Sequence, residues 1–335
     1  MVIETRATLG ADFIKGLSAD LYDVVNQADM AYSLSIDSAL GVEANQMTRL
    51  WKEDKSTKAR ETISGKTGIG KLQITGEGED YKSDSRSATY RTQFNFVKFT
   101  SSITVTEEDR DDQIVNKRLD EAFDLLVGGK QTMNQHAFDL FNYAFTAQAS
   151  LPAHLTYYGD GKPFASVIHP LKVAGGTQSN ASDTGIALTE INLEVGRQAL
   201  RRQTDDRGEA MNIGSGKTIL LVPDSLEKQA QIITNGKLRS NTANNDINIY
   251  DGIVTVISSK WINSQNSGSD TAWFLIDSMK SPAIFFVRRA LSLGKPYITD
   301  SNKNVTTDIS TRYQVGNRDF RGMWASKGDL ADYSL

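Results

Sequence analysis

The sequence predicts an α+β protein, and three observations carry that prediction. Two alternating apolar runs, Phe94–Val105 and Ile309–Val315, sit far apart in the chain and have the two-residue period of half-buried strands. Between them, a stripe at helical spacing extends from about Ile114 to Gln148. From Thr189 to Val287, helical and extended patterns then alternate.

The bulk properties allow a packed core. Hydrophobic residues make up 39% and charged residues 23% of 335, so the chain is not globally disordered. Lys and Arg total 37 against 41 Asp and Glu, a net charge of −4. That balance lacks the basic excess of a protein that grips nucleic acid by counterion release. With no cysteine, disulfides, thiolate nucleophiles and cysteine-ligated zinc are excluded, and a reducing compartment fits. Met1 to Gly10 lacks the basic start and apolar core of a signal peptide. No apolar run is long enough to span a bilayer.

Taken in order, Ala11 to Asp29 reads as an amphipathic helix with Ile14, Leu17, Leu21, Val24 and Val25 at helical spacing. It packs either on the chain's own core or, as an arm, on a neighbouring copy. Lys52 to Arg91 is rich in Lys, Glu, Thr, Ser and Gly. Within it, Glu61–Thr75 and Ser85–Arg91 have extended character around a turn-rich tip, Gly76-Glu77-Gly78-Glu79-Asp80. Ile63 and Ile69 fall on odd positions, Leu72 and Ile74 on even ones. Neither face of such a hairpin is apolar, so nothing drives it onto its own core, and an isolated ribbon is marginal in water. Each arm of about 15 residues would project roughly 50 Å. Lys52, Lys55, Lys58, Arg60, Lys66 and Lys71 mark the first limb, and Glu77, Glu79, Asp80 and Asp84 the tip. Such a ribbon is either a disordered loop or an arm that orders on another molecule, and separated opposite charges of this kind favour the arm, docking one copy on the next.

After the strand ending at Val105, Thr106 and Asp109 read as a capping box. The acidic run Glu107–Asp112 then suits a helix start, where the macrodipole favours carboxylates. Ile114, Leu119, Phe123, Leu126, Met133, Phe138, Phe141 and Phe145 mark one stripe of a helix of about 30 residues, roughly 45 Å long, with Gly128-Gly129 as a candidate kink. A turn-rich segment, Tyr158–Phe164, leads to His169-Pro170. The next helix runs from Thr189 to about Gln203, with Leu188, Ile191, Val195 and Ala199 on one face. Thr218–Val222 is a buried strand. Asp224 or Ser225 caps a helix with the stripe Leu226, Ala230 and Ile233, ended by Gly236. Arg239–Asp246 is an exposed loop, and strands follow at Ile253–Ile257, Trp273–Ile276 and Ala283–Val287. Ile309–Val315 is placed to pair with the Phe94–Val105 run.

Candidate chemistry is sparse. Gly65–Lys71 comes near a phosphate-binding loop, but Leu72 replaces the magnesium-binding hydroxyl and strands are expected on both sides. Gly216-Lys217-Thr218 precedes its strand. Asp300–Asn304 begins like a calcium loop, yet Val305 stands where Gly is needed and Thr311 where the bidentate Glu belongs. His136, His154 and His169 show no pair at metal spacing, and His169 reads as a turn histidine with a structural hydrogen bond. No Gly-x-Ser-x-Gly elbow occurs. Trp51, Trp261, Trp273 and Trp324 are dispersed, as core or interface anchors would be. The expectation is no catalytic residue, no cofactor and no metal.

The order of these elements resembles the Hong Kong 97-type major capsid fold of tailed phages and, within it, the major head subunits of phage Mu and Mu-like prophages. The resemblance rests on Phe99–Asp112, Asp160–Phe164 with His169-Pro170, Ile219–Pro223 entering a helix, Trp273–Asp277 followed by Pro282–Phe286, and Tyr313–Trp324. It implies an N-terminal arm over 1–50, an extended loop over 51–93, with Glu61–Arg91 lying over an adjacent subunit, and a peripheral domain over 94–188 with Ile114–Gln148 as its spine helix. It further implies an axial domain over 189–290 (core Thr189–Val287) and a return to the peripheral domain over 291–335. Glu61–Arg91 is longer and more charged than in the relatives it resembles. The implied function is a structural protein, not an enzyme. Copies would close as hexamers and pentamers, with scaffold and portal proteins and in some members decoration proteins, into an icosahedral virion shell assembled in the bacterial cytoplasm. That shell would enclose double-stranded DNA as a container. An encapsulin-like compartment shell is the alternative within the fold; a nucleotide-dependent enzyme built on Gly65–Lys71 and a secreted adhesin are the rivals outside it.

Overall fold

The structure, a computed structural model, describes residues 50–108, 115–236, 248–295, 297–298 and 303–331, with side chains of the long helix from Asp124 onward. The helix expected at Ala11 to Asp29, Asp109 of the capping box, the loop Arg239–Asp246, most of the calcium-like Asp300–Asn304, and Ile114, Leu119 and Phe123 of the helical stripe lie outside the described residues or side chains.

Fourteen strands and three α-helices are described. The first strands are β1 (Lys52–Lys55), β2 (Arg60–Lys66), β3 (Ala88–Asn95) and β4 (Val97–Val105), followed by helix α1 (Val115–Asn142). Three two-residue strands come next, β5 (Leu155–Thr156), β6 (His169–Pro170) and β7 (Thr177–Gln178), then α2 (Glu190–Arg201), β8 (Thr218–Pro223), α3 (Asp224–Thr234) and β9 (Val254–Ser259). The chain ends through β10 (Trp273–Asp277), β11 (Ala283–Leu293), β12 (Tyr297–Ile298), β13 (Val305–Asn317) and β14 (Met323–Ser326). No described helix is long and apolar enough to cross a membrane.

The chain divides into two compact units. One holds the described residues of Phe96–Gln135 and Val287–Tyr313. Its frame is the antiparallel ladder of β4 on β13, from Val105 opposite Val305 to Val97 opposite Tyr313, the pairing that the two alternating runs predicted. Phe99 stacks on Tyr313 at 4.7 Å between ring centres, and Thr104 bonds Thr306 across the ladder at 3.1 Å. Helix α1 is not broken at the glycine pair. Gly129 instead gives the sheet room: a Cβ there would lie 3.1 Å from Leu291 Cδ1 and 3.4 Å from Ile309 Cδ1.

The other unit holds the described residues of Thr48–Asn95, His136–Phe286 and Gln314–Leu335. Its centre is a sheet in the order β14-β10-β8-β9. Continuous apolar runs bury both faces of a strand, and every residue of β8, β10 and β14 is buried. Strands β8 and β9 are parallel and joined through α3. Leu226 and Ile233 of α3 pack beside the buried Ala230, as its stripe predicted. Its cap differs from expectation: Pro223 holds the N-cap position without a side-chain bond, and the Ser225 hydroxyl instead donates to the Asp270 carbonyl.

Helix α2 also departs from expectation. Thr189 caps it, accepting from Asn192 N–H, but its core face is Leu193, Gly196 and Leu200. Ile191 and Val195, expected inside, are 75% and 50% exposed. The core face wins because Gly196 admits the Trp324 ring, 2.7 Å from where a Cβ would stand, and Trp324 lies 5.0 Å from Trp273.

Candidate assembly surface and buried clusters

Strands β2 and β3 form an antiparallel hairpin from Arg60 opposite Asn95 to Lys66 opposite Ala88, with a register shift between Ser64 and Lys66. Seven and eight residues span about 25 Å, half the reach expected, and pairing ends with Thr67 N–H donating to Ser87 O at 2.9 Å. Beyond it the two limbs have no regular structure up to a turn at the tip. Glu79 N–H closes that turn on Gly76 O, and Gly78 supplies its left-handed residue, at φ 81°.

The base of the hairpin has a bed on its own unit, which corrects the expectation that it has none. Thr89, Thr92 and Phe94 are buried. Thr89 Oγ1 lies 3.3 Å from the Tyr158 hydroxyl, and Lys172 Nζ donates to Thr89 O at 3.1 Å. Gly159 N–H donates to Thr92 Oγ1 at 3.1 Å. Phe94 also packs edge-on against Phe286 at 5.0 Å between ring centres, and Tyr90 against Tyr158 at 5.8 Å, so aromatic as well as polar contacts seat the base.

Two charges of the distal limbs are also met within the chain. Arg207 Nη1 donates to Asp84 Oδ2 at 2.6 Å, and Gly70 N–H donates to the same oxygen at 2.7 Å. The Arg207 guanidinium first, and then the Gly70 amide, hold the Asp84 carboxyl down at about 2. Lys71 Nζ stands 2.9 Å from Glu209 Oε2, which raises the lysine above its usual range. Alongside exposed charges such as Glu77, Asp80 and Lys82, large apolar side chains stand bare: Ile69 is 62% exposed, Leu72 101%, Ile74 93% and Tyr81 97%. Monomeric surfaces seldom leave so many large apolar side chains together in water.

The nucleotide reading of Gly65–Lys71 fails on this geometry. The segment after Lys66 is irregular, not a strand, and no helix follows it. A carboxylate, Asp84, already accepts from the Gly70 amide that a phosphate would need. The neighbouring cavity of about 250 Å³ has Asp205, Asp206 and Asp319 beside Lys66, Arg318 and Arg321, and Arg321 is already paired with Asp206 and Asp319. In the Gly216-Lys217-Thr218 run, the Lys217 carbonyl accepts from the Ser278 hydroxyl, and the chain passes directly into β8.

The histidines are placed as follows. His169 is buried, with Nδ1 2.6 Å from Asp160 Oδ2 and Nε2 3.1 Å from Asn180 Oδ1, and it stacks on Phe320 at 3.9 Å. It is the structural histidine expected. His136 and His154, which showed no metal spacing in the sequence, come together with Asp139. Their rings stack at 3.9 Å, and His154 Nε2 lies 2.9 Å from Asp139 Oδ2. Burial, and then the neighbouring His154 ring, push the His136 imidazole down to about 4. The available signal was His136-x-x-Asp139 on one helix face; His154 arrives only through the turn after α1.

A family model described as phage capsid protein matches residues 89–326. No curated protein matches the chain in sequence. Among solved structures, that of Mycobacterium phage Patience is similar with a TM-score of 0.53 at 11% identity, covering 89% of this chain and 88% of that one. The capsid of a native GTA particle is similar with a TM-score of 0.50 at 9% identity, covering 83% of this chain and 88% of that one.

Proposed function

The chain belongs to the phage capsid protein family, and from that premise we propose how its surfaces build a shell. It is a major capsid protein of the Hong Kong 97-type fold, the subunit of an icosahedral phage head. The observation that carries this is the family match, which extends from the hairpin's second strand to the last strand of the central sheet.

Our reading goes further in several respects. The chain is a Mu-like major head subunit, on the series of segments from Phe99–Asp112 to Tyr313–Trp324. Residues 51–93 are the extended loop, 94–188 and 291–335 the peripheral domain, 189–290 the axial domain and 1–50 an arm. The distal hairpin lies on a neighbouring copy, where Leu72, Ile74 and Tyr81 leave water. Ile191 and Val195 on α2 offer a second apolar face within the axial domain, toward copies in hexamers and pentamers. Each contact is modest, and many copies sum them by multivalency. Closure of the shell requires fixed interface geometry, because open association yields polymers. Scaffold and portal proteins guide assembly in the host cytoplasm, decoration proteins add to the finished surface, and DNA is enclosed without being gripped, in keeping with a net charge of −4. The subunit has no catalytic role.

The test is electron microscopy of the chain expressed with the scaffold protein from its gene neighbourhood. Closed isometric particles are expected; a chain that stays monomeric under all assembly conditions would overturn the reading. Portal and terminase genes beside it would separate a phage head from an encapsulin-like compartment.

A further inference from the structure

The chain has only three histidines in 335 residues and no cysteine, yet two of the three converge on one carboxylate. His136 and Asp139 stand three residues apart on α1, a spacing that puts both on one helix face. His154 comes from the segment beyond the helix. Its carbonyl accepts from Val315 N–H at 3.0 Å, and the next residue, Leu155, pairs with Val315 in β5, so the backbone that carries the ring is anchored. Asp139 is anchored too: its other oxygen accepts from the Asn142 amide at 3.2 Å, and Asn142 also donates to Trp261 O at 3.0 Å. Outer-shell partners of this kind orient ligands in metal sites.

From this geometry we propose that His136, Asp139 and His154 bind one divalent transition-metal ion of the zinc or nickel class, with the remaining positions left to water. One donor atom from each residue lies within 4.8 Å of the others. Metal bonds of about 2.0–2.1 Å place two ligands of a tetrahedral ion about 3.3–3.4 Å apart, so His154 Nε2 and Asp139 Oδ2, which share a hydrogen bond at 2.9 Å, need to part by only about half an ångström to admit an ion in place of the proton. His136 is partly exposed while His154 and Asp139 are buried. Two imidazoles and one carboxylate suit borderline ions and not calcium or magnesium, which take oxygen ligands. A bound ion would tie the end of α1 to the segment leading into β5, and binding to the folded form alone would raise the stability of that unit.

The experiment is calorimetric titration of zinc chloride into the untagged full-length chain after chelator dialysis. One ion per chain is expected, with a higher melting temperature. H136A and H154A should each weaken binding about tenfold or more, since even outer-shell partners of a metal contribute that much. Imidazole nitrogen NMR of the unsubstituted chain tests the same claim without any variant: zinc should shift His136 and His154 and leave His169 in place. Absence of stoichiometric binding, binding indifferent to both substitutions, or zinc shifts elsewhere than His136 and His154 would each overturn the proposal.

Discussion

Replacing Leu72, Ile74 and Tyr81 together with serine separates folding from assembly. These side chains are 101%, 93% and 97% exposed, so they contribute almost nothing to the core of the free subunit. Surface changes of this kind alter stability by within about 0.5 kcal/mol. If the tip lies on a neighbouring copy, each side chain leaves water there. Burial of one such side chain is worth about 1.5–3 kcal/mol, or roughly 4.5–9 kcal/mol for the three. Association costs take back part of this. Even a residual of about 2 kcal/mol per contact changes an association constant about thirtyfold. The assay pairs urea unfolding of the dispersed subunit with light scattering of assembly against protein concentration. An unchanged unfolding midpoint with an assembly threshold at least about thirtyfold higher is expected. A variant that assembles at the original threshold, or one whose free subunit loses stability by several kcal/mol, would refute the reasoning.

Other contacts make separate demands. In G196A the new methyl meets Trp324 Cε3 at 2.7 Å and Leu275 Cδ1 at 2.9 Å; overpacking of about 1–3 kcal/mol outweighs a helix-propensity gain of about 1 kcal/mol, so chemical unfolding should show a net loss, and equal or greater stability would contradict the packing. Asp84 should titrate near 2 by carboxyl-carbon NMR, and in R207A should move back toward 3.8. Because the carboxylate is the form held by Arg207, its stabilising contribution is present above the usual carboxylate pKa and is lost as pH falls through about 2; one midpoint near 3.8 in both proteins would remove the ion pair from the account. Titration with magnesium ATP should give no heat in the unsubstituted chain or in K71A, and binding that depends on Lys71 would restore the nucleotide reading.

Long periodic segments were legible in the sequence. The ladder of β4 on β13, the buried run of β8 and most of α1 follow from alternation, from an unbroken apolar stretch and from a helical stripe, but α1 ends at Asn142 and not at Gln148, because the chain turns there toward His154 and β5. Where two apolar stripes share one helix, periodicity cannot choose between them. Helix α2 carries Ile191 and Val195 on one side and Leu193 and Leu200 on another, and the choice was made by Gly196, whose missing side chain admits Trp324. The hairpin was legible as a pair of strands around a turn, but not its bed, because its base docks through Thr89 on Tyr158, Thr92 on Gly159 and Phe94 on Phe286, partners far away in the sequence. The His136–Asp139–His154 cluster escaped for a similar reason. Two of its members share a helix face, and the third is brought in by a turn whose path depends on the pairing of Leu155 with Val315.

The most direct test is a side-chain-resolution reconstruction of the assembled shell in which residues 67–87 are traced. Density for Leu72, Ile74 and Tyr81 buried against a different subunit is the predicted result. A tip that rests wholly on its own subunit, or that stands free in solvent while the shell remains closed, would contradict the proposed role of the hairpin.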